Sequence, residues 1–146
     1  MGSYADDALF MSRNNIEYVE LISDDGKSKV MVIPAWQGRV MTTSAAGDEG
    51  DSYGWINYSF IKKRQIDLQF NPVGGEERFW LGPEGGVFSL YFRQGEKQIY
   101  KNWKVPPVLD IEAFKIQSQS KNCICLTKEG CLTNACGTTF YLNIKR

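Results

Sequence analysis

Arg78, Trp80 and Glu84 are the residues of this chain whose types and spacing suggest chemistry most directly. Side chains alternate along an extended segment, so Arg78 and Trp80, two apart, share a face. A planar guanidinium can fork its donors onto adjacent hydroxyls, and an indole can stack on the apolar face of a pyranose. Glu84 follows on the turn Gly82-Pro83-Glu84-Gly85-Gly86. There its carboxylate can accept hydroxyl hydrogen bonds, or act as acid or base if burial shifts its pKa. Glu76, two residues before Arg78, is a further candidate for ligand hydroxyls. The competing reading puts Trp80 in the core and pairs Arg78 with Glu76 or Glu77. A second group, Trp55, Asn57 and Tyr58, follows a long polar loop. Asn57 carries both donor and acceptor groups, which suits a hydroxyl-rich ligand; aromatic anchoring of the loop is the alternative.

Several chemistries are excluded. The chain has no histidine, so it contains no Ser-His-Asp or Cys-His nucleophilic site, no His-ligated zinc and no His general acid. Catalysis would fall to carboxylates, Tyr, Lys, Arg or Cys. Cys123, Cys125, Cys131 and Cys136 follow C-x-C-x5-C-x4-C spacing, unlike the paired C-x2–4-C of zinc sites. They read as small buried hydrophobes, with disulfides the alternative and metal a distant third. The acidic loop Gly47-Asp48-Glu49-Gly50-Asp51 does not match an EF-hand and reads as solvated. No metal or cofactor is expected.

Lys plus Arg and Asp plus Glu number 17 each, for a net charge of zero. Counterion release would be small, so nucleic acid is not an expected partner. Apolar runs fall far short of the ~20 residues of a membrane helix, so no membrane span is expected. The start, Met-Gly-Ser-Tyr, lacks the charged and apolar regions of an export signal. Localisation stays open: periplasm or cell envelope if a signal has been removed, cytoplasm otherwise.

The elements that must position these residues read as all-β. After a short helical or irregular lead-in over 1–14, with Ser3 or Asp6 as N-cap, strand patterning dominates. Strands are predicted from Ile16 to Ile22, Lys29 to Ile33 and Arg39 to Ser44, with Asp24-Asp25-Gly26-Lys27 as the first turn. The stretch Trp55 to Ile61 reads as a short helix or irregular segment. Arg78 to Leu81 and Val87 to Arg93 read as further strands, and Pro106-Pro107 as part of a stiff connector. Glu112 to Ser118, Asn122 to Thr127 and Thr138 to Ile144 complete the set. Recurring short strands without a long helix favour a single antiparallel β-sandwich domain over 1–146.

The segment Val73-Gly74-Gly75-Glu76-Glu77-Arg78-Phe79-Trp80-Leu81-Gly82-Pro83-Glu84-Gly85-Gly86 resembles a block of uncharacterised bacterial relatives of aldose 1-epimerase, several of them from Bacteroides-type bacteria. Gly38 to Ser44, Tyr53 to Tyr58, Leu132-Thr133-Asn134 and Gly137-Thr138-Thr139-Phe140 are similar to other blocks of that group, in the same order. The resemblance is to the galactose mutarotase-like superfamily. It implies a large antiparallel supersandwich with a sugar on its concave face, of which this chain is the N-terminal portion. Arg78, Trp80, Asn57, Trp55 and Glu76 would then hold a saccharide, and Glu84 is the one local carboxylate nominated for proton transfer. Characterised mutarotases use a His acid and a Glu from the later half, so this chain alone is expected to be inactive. Aldose 1-epimerase-type chemistry would belong to the full-length form. The alternatives are a non-catalytic sugar-binding sandwich and a structural or assembly β-module. An uncovered sheet edge is expected to promote self-association.

Overall fold

Ser3 and Asp6 form a capping box in which each side chain accepts from the other's backbone N–H, at 3.2 and 3.0 Å. Two orphan donors are thereby satisfied, and helix α1 (Tyr4–Arg13) begins where the sequence predicts a helical lead-in. Tyr4, Asp7 and Met11, at helical spacing, form its buried face. This is a computed structural model, and it describes residues 2–146. It is mostly β, with two three-stranded antiparallel sheets and few helices.

The first sheet is the meander β1 (Val19–Ile22), β2 (Lys29–Ile33) and β3 (Arg39–Ser44). Its first turn is fastened by Asp25, which accepts from Ser23 Oγ at 2.6 Å and Lys27 N at 3.0 Å. Alternation along β2 gives the sheet two apolar faces. Met31 and Ile33 join Tyr4, Met11, Met41 and Ile61 on the helix side. Val32 joins Leu126 and Ile144 of the second sheet on the other side. Opposite Met31 and Val32 the register shifts, so β3 carries one extra residue, Met41. The bulge leaves consecutive residues Met41 and Thr42 both fully buried.

The second sheet is β4 (Lys115–Gln119), β5 (Ile124–Thr133) and β6 (Thr139–Lys145). Leu126, Leu132 and Ile144 form its inner face, and every residue of β4 is exposed. Cys125 and Cys131 alternate with Leu126 and Leu132 and so take the opposite, outer face. This corrects the expectation of buried cysteines: Cys123, Cys131 and Cys136 are exposed, Cys125 is half-buried, and all are free.

Residues 45–114 are largely irregular, with short helices α2 (Tyr58–Lys62) and α3 (Pro107–Asp110). They still supply Tyr91, Phe92, Val105, Val108 and Leu109 to the core. The predicted strands Arg78 to Leu81 and Val87 to Arg93 do not form. Just before the first, Glu77 makes an isolated bridge to Val40. In the second, Ser89 Oγ donates to Glu84 O at 2.8 Å and accepts from Tyr91 N at 3.1 Å, closing the chain on itself. Tyr91 and Phe92, consecutive yet both buried, break the alternation that a half-buried strand requires.

Gly74 shows how closely the irregular chain approaches itself. Its φ is +99°, and a Cβ there would lie 2.1 Å from the carbonyl oxygen of Trp55. Gly74→Ala combines strain with a backbone clash and is expected to lower stability by about 3 kcal/mol in urea unfolding. Gly26→Ala, at φ +74° with open space around it, is expected to lose only about 1 kcal/mol. Equal losses at the two positions would contradict the close approach.

Candidate functional site

Asp110, on the last turn of α3, is 4% exposed. One carboxylate oxygen accepts from both Asn71 N at 2.9 Å and Asn71 Nδ2 at 2.7 Å. The other faces Arg78 Nη2 at 3.5 Å, and the same nitrogen donates to the carbonyl of Leu109. Arg39, 2% exposed, donates to Gly74 O at 2.7 Å, while its Nε and Nη2 and the Nε of Arg78 lack partners. Burial pushes the Arg39 guanidinium down to about 10, with repulsion from Arg78 adding to it and attraction to Asp110 opposing it. Burial also raises the Asp110 pKa, against the hydrogen bonds from Asn71 and the attraction of Arg78. Arg78 therefore contacts this desolvated carboxylate directly, while Arg39 is attracted to it through space only.

From this hub an aromatic ladder runs outward. The Arg78 guanidinium lies 4.0 Å from the Trp80 ring centroid. Trp80 packs on Tyr91 at 5.2 Å, Tyr91 stacks on Trp103 at 5.5 Å and 7°, and Trp103 on Tyr100 at 6.2 Å and 13°. Glu84 accepts from Trp80 Nε1 at 2.8 Å, and Tyr91 donates its hydroxyl to Leu81 O at 2.6 Å. Arg78, Trp80 and Glu84 are thus brought together without the predicted strand, and all but the Arg78 Nε of their polar groups described above bond to protein partners.

The remaining candidates lie elsewhere. Asn57 caps α2, accepting from Phe60 N at 3.1 Å and donating to Pro72 O at 2.9 Å. Glu76 accepts from Thr43 N at 2.7 Å and from Thr43 Oγ1, covering the edge of β3. Trp55 is 64% exposed, and its carbonyl accepts from Gly75 N.

One ring of the ladder, Tyr91, also lines a cleft of about 550 Å³, whereas Arg78, Trp80, Glu84, Tyr100 and Trp103 do not. The cleft floor includes the buried apolar side chains Tyr91, Phe92, Val105 and Leu132. Arg93, Gln94, Glu96, Asn102, Lys104 and Thr133 line its polar sides. Sequence reading missed this group because its members come from irregular chain and one strand end, with no motif spacing. The signal present was the polar, cationic run 93–104 between the buried Tyr91–Phe92 and Val105. A smaller cavity of about 310 Å³ touches Asn71 and Asp110 but is walled mainly by apolar side chains such as Trp36, Phe60 and Ile61. Among the described residues no group of His, Cys, Asp or Glu is placed to hold a metal ion, and no helix is long and apolar enough to cross a membrane.

Residues 2–146 match the model described as "Family of unknown function (DUF6786)". The chain belongs to this family. No curated protein and no solved structure matches it. In this DUF6786 member the match spans both sheets, the hub and the cleft together.

Asp110 gives the hub a measurable signature. Asp110→Ala strips Asn71 and Arg78 of their acceptor and is expected to lower stability by about 3 kcal/mol. Asp110→Asn keeps an accepting oxygen and is expected to lose less. The folded pKa lies above the ordinary value of 3.8, so between the two values the folded state holds more protons than the unfolded one. Wild type is then most stable relative to Asp110→Asn at acidic pH and loses that advantage as pH rises through the folded pKa. Unfolding free energies of both proteins across the acidic range check this; a difference that grows with pH would contradict it.

Proposed function

We propose that the chain is part of a saccharide-binding β-protein of the galactose mutarotase-like type, with its two sheets belonging to an antiparallel sandwich. The observation that carries this reading is the cleft of about 550 Å³, apolar on its buried floor and polar on its sides. Sugars present one apolar ring face and a circle of hydroxyls, so they suit a flat or aromatic support edged by side chains that donate and accept. Gln94 and Asn102 supply both functions, Arg93 and Lys104 donate, and Glu96 accepts. Tyr91, in the floor and stacked on Trp103, offers a ring already held by the ladder. Arg78, Trp80 and Glu84 act in this reading as positioning residues that hold Tyr91 and Trp103 in place. The Bacteroides-type origin implied by the sequence blocks belongs to the same proposal.

Binding is favoured over epimerisation for a chemical reason. Opening and reclosing a hemiacetal needs a base at the anomeric hydroxyl and an acid at the ring oxygen. Glu96 is the one carboxylate lining the cleft, no histidine accompanies it, and Glu84 is exposed and bonded to Trp80. Aldose 1-epimerase chemistry would require a second group from outside residues 1–146.

The second reading is assembly through a sheet edge. Its support is β4, an edge strand exposed at every residue, together with Tyr141 at 88% exposure on the outer face of the same sheet. It predicts concentration-dependent association in size-exclusion chromatography that saccharide does not alter.

The saccharide reading predicts quenching or enhancement of tryptophan fluorescence on titration with galactose or glucose. Gln94→Ala and Glu96→Ala are each expected to weaken binding by about tenfold, the equivalent of about 1.4 kcal/mol, without changing the melting temperature. Polarimetry on freshly dissolved α-galactose is expected to give the buffer rate. Unaltered affinity in both variants would remove the cleft from the proposal.

A further inference from the structure

We infer that the cleft selects acidic saccharides, sugars bearing a carboxylate, over their neutral counterparts. The inference rests on the saccharide reading and deepens it by naming the substrate class. Between Arg93 and Lys104 the chain carries Arg93, Lys97, Lys101 and Lys104 against the single carboxylate Glu96, a local charge of +3. Because the whole chain is neutral, the remainder carries −3. Of these charged residues, Arg93, Glu96 and Lys104 line the cleft, two cations against one carboxylate.

These cations also lack internal partners. Ion pairs among the described residues engage Lys29, Arg78, Lys121, Lys128 and Arg146. Arg93, Lys97, Lys101 and Lys104 are exposed, and none has a side-chain hydrogen bond or ion pair to another described residue. Arg93 and Lys104 line the cleft from either end of this stretch, while Tyr91, Phe92 and Val105 beside them are buried in its floor. A ligand with an apolar ring face and one negative group meets both features at once. The carboxylate pairs with Arg93, whose planar fork suits it, or with the Lys104 ammonium, and the ring rests against the apolar floor.

Charge complementarity of this kind is focused by a concave, low-dielectric wall and weakened by salt. A polynucleotide would also be drawn to a positive stretch, but its affinity needs many phosphate contacts spread along a surface. Here two cations, Arg93 and Lys104, line the cleft against Glu96, which fits a ligand carrying one or a few charges.

The test compares D-galacturonate with D-galactose, which share a ring and differ in the carboxylate at C6. Titrations follow tryptophan fluorescence in about 0.02 M and about 0.3 M sodium chloride, on the wild-type protein and on Arg93→Gln/Lys104→Gln. Both substituted positions are exposed and unpaired, so an unchanged melting temperature is expected and is measured alongside. The expected result is galacturonate binding about tenfold tighter than galactose at low salt, with that preference shrinking at high salt and in the double variant. Equal affinity for the two sugars, or a preference that the double variant retains, overturns the acidic-sugar inference and leaves the saccharide reading standing. Binding of neither sugar overturns both. Binding of a single-stranded oligonucleotide in their place also overturns both and assigns the cationic lip to nucleic acid.

Discussion

The Asp110 carboxylate is the interaction on which the irregular half of this protein depends. A strand satisfies its backbone through the ladder beside it, but most of residues 45–114 have no ladder. Their polar groups must find partners one at a time, because a buried amide without a partner is costly. Asp110 answers for three donors from two distant points of the chain, the Asn71 backbone, the Asn71 side chain and Arg78. In doing so it fixes the segment before the Gly74-Gly75 approach, the extended run through Trp80 and the end of α3. The interaction opposes itself in part, since burial disfavours both the carboxylate and the guanidiniums around it. What makes it worth retaining is geometric: an apolar substitute could fill the volume but could not accept from Asn71 and Arg78.

That geometry reaches the cleft through flat rings. Arg78 is held by Leu109 O and Asp110, and Trp80 rests on the guanidinium. Tyr91 packs on Trp80, and Trp103 stacks on Tyr91. Rings have few rotatable bonds, so a stack transmits position with little loss of order. Two of the rings are also tied at an edge, Trp80 Nε1 to Glu84 and Tyr91 to Leu81 O. The cleft floor is thereby preformed although the chain around it has no regular secondary structure. A preformed floor lowers the ordering cost of binding, which matters most for small polar ligands whose individual contacts are weak.

How much of this the sequence revealed follows from which forces are local. β1 to β3 and β4 to β6 were legible because alternation and turn residues act over a few positions: Gly26 and Asp25 make their turn, and Val30 and Val32 alternate with Met31 and Ile33. The helix lead-in was legible through Ser3 and Asp6 as alternative N-caps; that the two form one box is shown by the structure. Val87 to Arg93 was misread because apolar content was mistaken for period-two burial; its aromatic residues enter a core built from loops. The pairing of Arg78 with Trp80 followed from spacing of two. What spacing could not show was that Arg78 would meet a carboxylate 32 positions away. Asn57 and Glu76 were chosen for groups that suit a ligand, but α2 and the β3 edge each had an unmet backbone donor closer at hand.

The division between sheets and irregular chain has a consequence for how such a site can vary. The sheets meet each other through Val32, Leu126 and Ile144 and do not depend on the side chains that edge the cleft. Arg93, Gln94, Glu96 and Lys104 are all exposed and line it without contributing to the buried core. Substituting them changes what the cleft attracts while leaving the hub, the ladder and the floor in place. In the saccharide reading the charge and hydrogen-bonding groups on the lip would set ligand preference, whereas Asp110, Arg78 and the rings beyond them hold Tyr91 in the floor. Because those two sets of residues are physically separate, a neutral chain can carry two exposed cations, Arg93 and Lys104, at the lip without strain on its core. A net charge computed over the whole sequence averages that local field away.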